Sequence, residues 1–309
     1  VTVAGEFVHP ALFYSSDEEY LDALVPFVTE GLASGEPVAV AVPGDRLRVL
    51  RAAVGAAADG VLWLDMTVAG RNPGRIIPAV LRKFADPHPD RHVRIVGEPI
   101  WAGRSETEYP ACAQHEALIN HAFAGRDVTI VCPYDTGALD AHVVEDARAT
   151  HPEVWEADRR YTSARYAPDD VVARYNQPLP GVPAPAEFTV TGETGVRPAR
   201  RWAAAYARSL GLDEPRVPDL ELIVTELVTN SIRHATGSCR VHLWHTDGHL
   251  CCAVRDGGHL SDPLAGRLPR SPTARGGRGL LLVHQLADLV RTHTVAGSTT
   301  QYALLRLAK

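Results

Sequence analysis

ELIVTELVTNSIRHA, from Glu221 to Ala235, is the stretch on which the fold of this chain turns. Together with Leu220, the residues Ile223, Leu227 and Val228 make an apolar stripe at helical spacing, while Glu226, Asn230 and His234 recur at i, i+4 and i+8 on a neighbouring face. Three polar groups therefore line one ridge of a helix whose other side is greasy. An Asn side-chain oxygen is a neutral ligand suited to Mg²⁺, which favours oxygens and bridges phosphates. A Glu one turn earlier can polarise a hydroxyl or water. Taken alone, the segment reads equally well as a solvated helix face.

Two more elements follow it. VRDGG, Val254 to Gly258, ends an apolar strand on an acid that can accept a hydrogen bond from an exocyclic amine such as that of adenine, and Gly258 allows close backbone approach. RGGRGLLLV, Arg275 to Val283, is a glycine-rich run opening a helix, whose free amides and positive dipole end suit phosphate. Each alone is also an ordinary turn or cap. Around them, Arg197–Leu210 and Asp219–Ala235 have helical patterning, and CRVHLWH and LCCAVRD flank Asp247-Gly248, a strong hairpin signal. RTHTVAG and TTQYALLRL close the chain as a second hairpin. These elements predict an α/β sandwich with a mixed sheet.

In this order and spacing, ELVTN, DGG and GGRGL resemble the N box and the two glycine boxes of the GHKL ATPase superfamily. The E-x-x-x-N-x-x-x-H form of the N box and the short lid between Asp256 and Gly277 make the chain similar to the anti-sigma-factor kinases within it. The resemblance implies a GHKL (Bergerat) fold over 187–309 that binds ATP and Mg²⁺. It implies Glu226 as general base, Asn230 on Mg²⁺, Asp256 on adenine, Arg275 near the γ-phosphate and Thr300 in the strand closing the base pocket. His234, Gly258, Gly277, Arg278 and Gly279 are implied as the remaining cofactor-binding positions. The family's D-x-G-x-G stands here as Asp256-Gly257-Gly258-His259-Leu260, without its last glycine, which predicts a stiffer lid hinge.

Upstream the rhythm differs. PVAVAVP (Pro37–Pro43), VLWLD (Val61–Asp65), VRIVGE (Val93–Glu98) and VTIVCPYD (Val128–Asp135) are short and β-branched, as buried parallel strands are. Helical patterns lie between them at Glu18–Ala33, Asp45–Ala58, Arg75–Phe84, Tyr109–Phe123 and Ala138–Thr150, which predicts a parallel α/β domain. The loop after the first of these strands, Pro43-Gly44-Asp45-Arg46, lacks the Lys of a phosphate-binding P-loop. Ligands of such sheets bind beyond the strand C-termini, here Asp45, Asp65, Glu98 with Trp101, and Tyr134 with Asp135. HPALFYSSDEEYL, EGLASGEPVAV, GEPIW, HEALIN, CPYD and His151-Pro152 resemble the MEDS sensory domain, a RecA-like fold without a working P-loop. That likeness implies a small-molecule sensor or docking module over 1–155, with His9, Phe13 and Tyr14 as positions of interest. NQPLPGVPAPAE, with four prolines, places a linker at 156–186.

The net charge of −6 supplies no basic field for a phosphate backbone, so direct nucleic-acid binding is not expected. No apolar run approaches the ~20 residues of a membrane span, and the expected location is the cytoplasm of a bacterium. Cys112, Cys132, Cys239, Cys251 and Cys252 include no CxxC pair and read as buried free thiols. His115-Glu116, with no Pro after it, lacks the pattern of a histidine-kinase phosphoacceptor and reads as a helix-surface pair. Taken with the resemblance, the expectation is an anti-sigma regulator of a stress response. It would sequester a sigma factor and phosphorylate a STAS-type anti-anti-sigma antagonist on Ser/Thr. The alternative is an ATP-binding docking or sensor protein without kinase activity, and a homodimer is among the assemblies the resemblance allows.

Overall fold

The computed structural model describes residues 6–157, 159–182, 184–235, 237–269 and 277–307. The chain divides into two compact units between Tyr175 and Asn176. No helix among the described residues is long and apolar enough to cross a membrane.

The first unit carries strands β1 (Phe7–Val8), β2 (Pro10–Tyr14), β3 (Val38–Val42), β4 (Val61–Asp65), β5 (Val93–Gly97), β6 (Val128–Asp135), β7 (Glu153–Glu156) and β8 (Arg159–Thr162). Its helices are α1 (Asp17–Ala33), α2 (Gly44–Val54), α3 (Met66–Ala69), α4 (Arg82–Ala85), α5 (Tyr109–Ala122), α6 (Ala141–Thr150) and α7 (Pro168–Arg174). The sheet order is β4-β3-β5-β6-β2-β7-β8, with β1 also beside β6, and every pairing except β7 with β8 is parallel. Every residue of β3 is buried, and so are seven of the eight in β6, which is why these strands read as unbroken apolar runs. Arg75–Phe84 is not one regular helix. A 3-10 turn at Pro73–Arg75 leads into a π-helical turn at Ile77–Leu81 and then α4, because Pro78 has no N–H for the α-helical ladder.

The segment after Trp155 is not all connector. β8 returns antiparallel to β7, and α7 packs Val171 against Ala113 and Ala117 of α5 and Ala149 of α6. The buried Asp146 carboxylate gathers the Tyr109 hydroxyl at 2.8 Å, the Tyr175 hydroxyl and Arg174. The first unit therefore reaches Tyr175, and the expected linker at 156–186 shrinks to a few residues that themselves pack on the second unit. Proline runs mark where a helix cannot continue, not where packing stops.

The second unit comprises β9 (Ala186–Thr191), α8 (Val196–Ser209), α9 (Val217–His234), β10 (Ser238–Thr246), β11 (His249–Asp256), α10 (Gly279–Leu286), β12 (Leu289–Val295) and β13 (Ser298–Arg306). Its sheet, β12-β13-β11-β10-β9, is antiparallel throughout rather than mixed, because β9 joins the edge antiparallel to β10. Asp247 and Gly248, at φ 46° and 72°, make the tight turn between β10 and β11. One sheet face presents Val190, Val241, Leu243, Cys252, Val254, Ala303 and Leu305 to the helices. Onto it α8 lays Ala199, Ala203 and Ala207, and α9 lays Leu220, Ile223, Val224, Leu227 and Val228.

Asn176 pins the start of this unit, its amide donating to Thr294 O at 2.7 Å and its Oδ1 accepting from Thr294 N at 2.9 Å. Leu179 is buried just after it. A fragment beginning at Asn176 should therefore melt roughly 5–10 °C above one beginning at Glu187, two net hydrogen bonds being worth about 2 kcal/mol together. Equal melting temperatures by circular dichroism would return 176–186 to the role of a linker.

Candidate functional site

Packing of α9 through its apolar stripe turns the neighbouring ridge toward the C-terminal end of β11. There a cavity of ≈ 200 Å³ is lined by Asn230, Ser231 and His234 from α9, Asp256 at the end of β11, and Thr299 and Gln301 from β13. Gly258, Gly277 and Gly279 face the same space. Residues far apart in sequence thus converge because one helix, one strand end and one helix start meet at a single corner of the sandwich.

The acid at this corner is oriented by its neighbours. Asp256 Oδ2 accepts from the Ser231 hydroxyl at 2.6 Å, and Oδ1 accepts from Gly258 N at 2.8 Å. A carboxylate held this way keeps acceptor positions free for a donor entering the cavity. Gly258 has to be small, since a Cβ there would lie 3.0 Å from Ala235 Cβ and from Asp256 Oδ1. The loop beyond is tied to the sheet: Thr299 Oγ1 donates to Gly258 O at 3.3 Å, and Leu260 N donates to Thr294 Oγ1 at 2.9 Å. His259 Nδ1 also meets Thr294 Oγ1, at 3.2 Å. These ties fasten the start of the loop to β12 and β13.

At the other side of the cavity, Gly277, at φ 75°, turns the chain into α10. A Cβ on Gly279 would lie 2.5 Å from Glu226 Oε2 and 3.3 Å from Asn230 Nδ2, so only glycine lets the start of α10 rest on this ridge. Glu226 therefore sits against the glycine backbone one turn behind Asn230. Arg278 is exposed beside it. Arg275 lies outside the described residues.

Thr300 does not reach the cavity. Side chains alternate along β13, and Thr299 and Gln301 share the helix-facing side with Ala303 and Leu305, which leaves Thr300 on the opposite face with Tyr302. The sequence could not settle this parity, because Tyr302 and Leu304 are as apolar and as buried as Ala303 and Leu305. Ser231 and Arg267 were also missed. Arg267, one residue past the cavity-lining Gly266, is 6 % exposed, and burial lowers its pKa to about 10. A desolvated cation there favours an anionic ligand nearby. Nothing local in the loop sequence marks it as buried.

In the first unit, most acids at the strand ends serve the fold. Asp65 caps α3 through Thr67, Asp45 pairs with Arg48, and Arg46 bridges Asp17 and Asp135 while lying 5.1 Å from the ring centres of Tyr14 and Tyr20. Trp101 stacks under Arg104 at 3.9 Å. Glu98 is the exception: it is 3 % exposed, and burial pushes its pKa up to about 8. His9, Phe13, Tyr14 and Tyr134 are all buried. His115 and Glu116 are each 1 % exposed, so they are not a surface pair; α5 is enclosed on almost every side.

Comparison with known proteins bears on each unit separately. Residues 8–152 match the MEDS family, described as the methanogen/methylotroph, DcmR sensory domain. Residues 190–305 match the histidine kinase-like ATPase domain family. Among solved structures, the RsbU and RsbW domains of Rv1364c from Mycobacterium tuberculosis align at 22 % identity over 40 % of this chain and 33 % of that one, with a TM-score of 0.30. The alignment thus spans about a third of that chain's length. No curated protein matches the chain.

Asn230→Ala should abolish Mg²⁺-dependent ATP binding, and Asp256→Asn should weaken adenine nucleotides while the fold persists. Ser231→Ala should weaken them less, by the roughly tenfold that one lost orienting hydrogen bond is worth. Isothermal titration calorimetry giving wild-type affinity for all three would remove this corner as the nucleotide site.

Proposed function

We propose, for a chain that joins a MEDS domain to a histidine kinase-like ATPase domain, an ATP-dependent regulator of the anti-sigma kind. Its second unit would bind Mg-ATP, hold a sigma factor and phosphorylate a STAS-type antagonist on Ser or Thr. The supporting observation is the convergence of Asn230, Asp256 and the Gly277–Gly279 turn on one cavity. These residues fit the cofactors. The fixed Asp256 carboxylate suits an exocyclic amine, the backbone amides of the glycine turn at the start of α10 suit phosphates, and Asn230 offers the side-chain oxygen a magnesium ion takes. Bound Mg²⁺ supplies charge neutralisation at the phosphates.

In this reading Glu226, one turn before Asn230, would take the proton from an acceptor hydroxyl as that oxygen forms its bond to the γ-phosphorus and the bond to the β-phosphate oxygen breaks. Phosphorylating the antagonist adds negative charge at a packed contact, which repels and must be desolvated, so the antagonist would no longer displace the sigma factor. Radiolabel transfer from ATP to candidate STAS-type antagonists tests the reading. Wild-type protein should label the antagonist, and Glu226→Gln should keep nucleotide affinity while losing about 10²-fold or more in rate. Equal rates would remove Glu226 from the mechanism. ATP binding with no transfer by the wild type would favour a docking protein without kinase activity.

The MEDS unit is expected to regulate rather than to catalyse, since it lacks a phosphate-binding Lys after β3. Coupling of about 1–3 kcal/mol would change ATP or partner affinity about 5- to 150-fold. The fragment starting at Asn176 should therefore bind ATP but differ from the full chain in partner affinity or transfer rate. Identical constants for the two would leave the first unit as a tether.

A further inference from the structure

Beneath the parallel sheet of the first unit lies a group of side chains that neither the fold nor the proposed chemistry uses. His9 stands between β1 and β2, Cys132 in the middle of β6, Glu116 in the middle of α5, and His151 caps the C-terminus of α6. All four are buried, at 0 %, 1 %, 1 % and 0 % exposure. Their potential ligand atoms all lie within 4.8 Å of one another.

We propose that His9, Glu116, Cys132 and His151 form a closed four-ligand site for a divalent transition-metal ion of the zinc class. Zinc binds imidazole nitrogen and carboxylate oxygen at about 2.0–2.2 Å and thiolate sulfur at about 2.3 Å, so tetrahedral ligand atoms stand ~3.3–3.8 Å apart. Here His9 Nε2 lies 3.4 Å from Cys132 Sγ and 3.4 Å from Glu116 Oε2, and His151 Nε2 lies 3.2 Å from the same carboxylate oxygen.

The tautomers point the same way. Asn120 donates its amide hydrogens to Thr150 O at 2.8 Å and Ala117 O at 3.1 Å, so its Oδ1 can only accept, and the partner 3.1 Å away is His9 Nδ1. Ala147 O, likewise only an acceptor, lies 2.8 Å from His151 Nδ1. Each ring therefore carries its hydrogen on Nδ1 and turns the lone pair of Nε2 inward, the orientation that outer partners impose on metal-bound histidines. Two bare nitrogens cannot donate to a carboxylate, and neither oxygen of Glu116 has a hydrogen-bond partner among the described residues. A cation between them satisfies all three groups.

Charge balance selects the valence. Two neutral imidazoles, a carboxylate and a thiolate carry −2, which a divalent ion cancels inside the buried interior; the Cys132 thiol releases its proton to solvent as the metal binds. Four protein ligands with none exposed leave no open position, so the site is structural or sensory rather than catalytic.

The test uses the untagged full chain, stripped with a chelator and titrated with cobalt(II), then with zinc. One equivalent of cobalt should produce the intense visible bands of a tetrahedral site together with a thiolate-to-metal charge-transfer band, and zinc should displace it and raise the melting temperature. Cys132→Ser should lose the charge-transfer band, whereas Cys112→Ser, at a buried thiol outside the group, should keep it. Asn120→Leu, which frees the His9 ring, should weaken cobalt 10- to 100-fold, the usual scale for a lost outer partner. Weak octahedral bands alone, or a melting temperature indifferent to zinc, would overturn the site and leave a proton shared between imidazole and carboxylate. A charge-transfer band that persists in Cys132→Ser would overturn it as well. The wild-type titration decides the matter even if a variant fails to fold.

Discussion

The second unit depends on how α9 lies across its sheet. Leu220, Ile223, Val224, Leu227 and Val228 bury against one face, and that burial fixes the helix in both rotation and height. Rotation decides that Asn230, Ser231 and His234 look toward the end of β11. Height decides that Ser231 meets Asp256 at 2.6 Å and that Gly279 touches Glu226 and Asn230. The polar corner is thus set by apolar packing. Rotating the helix by one residue would move the whole ridge by about 100° and leave Asp256 without its partner.

Much of this was legible in the sequence, and the parts that were not share physical causes. The strands β3, β5 and β6 could be read because parallel strands covered on both faces become apolar runs rich in β-branched residues. Strand β2, Pro-Ala-Leu-Phe-Tyr, is equally buried but contains no β-branched residue, and β9 is hidden behind a proline run that reads as linker. The helical ridge was legible because its period is local. Thr300 was misplaced because strand parity can be read only when one face is polar, and β13 has apolar residues on both. Ser231 and Arg267 gain their roles from tertiary neighbours, for which no sequence spacing exists.

The first unit makes the same point through its histidines. His115-Glu116 looks like a surface pair because it sits on a helix with weak amphipathicity, yet α5 is nearly enclosed. His9, Glu116, Cys132 and His151 span most of the unit in sequence and match no ligand spacing, while parallel topology brings β2, β6 and the end of α6 side by side. Spacing rules describe ligands that share a loop or a helix. They are blind to a site assembled by crossovers.

All five cysteines are buried, and burial raises the pKa of Cys239 to about 11 and of Cys252 to about 12. An enclosed, protonated thiol reacts with an alkylating reagent only after the chain opens around it. Cys112 and Cys132 lie in one unit and Cys239, Cys251 and Cys252 in the other. The molecule thus carries its own stopwatch for each half: the rate at which each set of thiols is alkylated in native buffer times the opening around those thiols, and a ligand that steadies one half slows that half's clock.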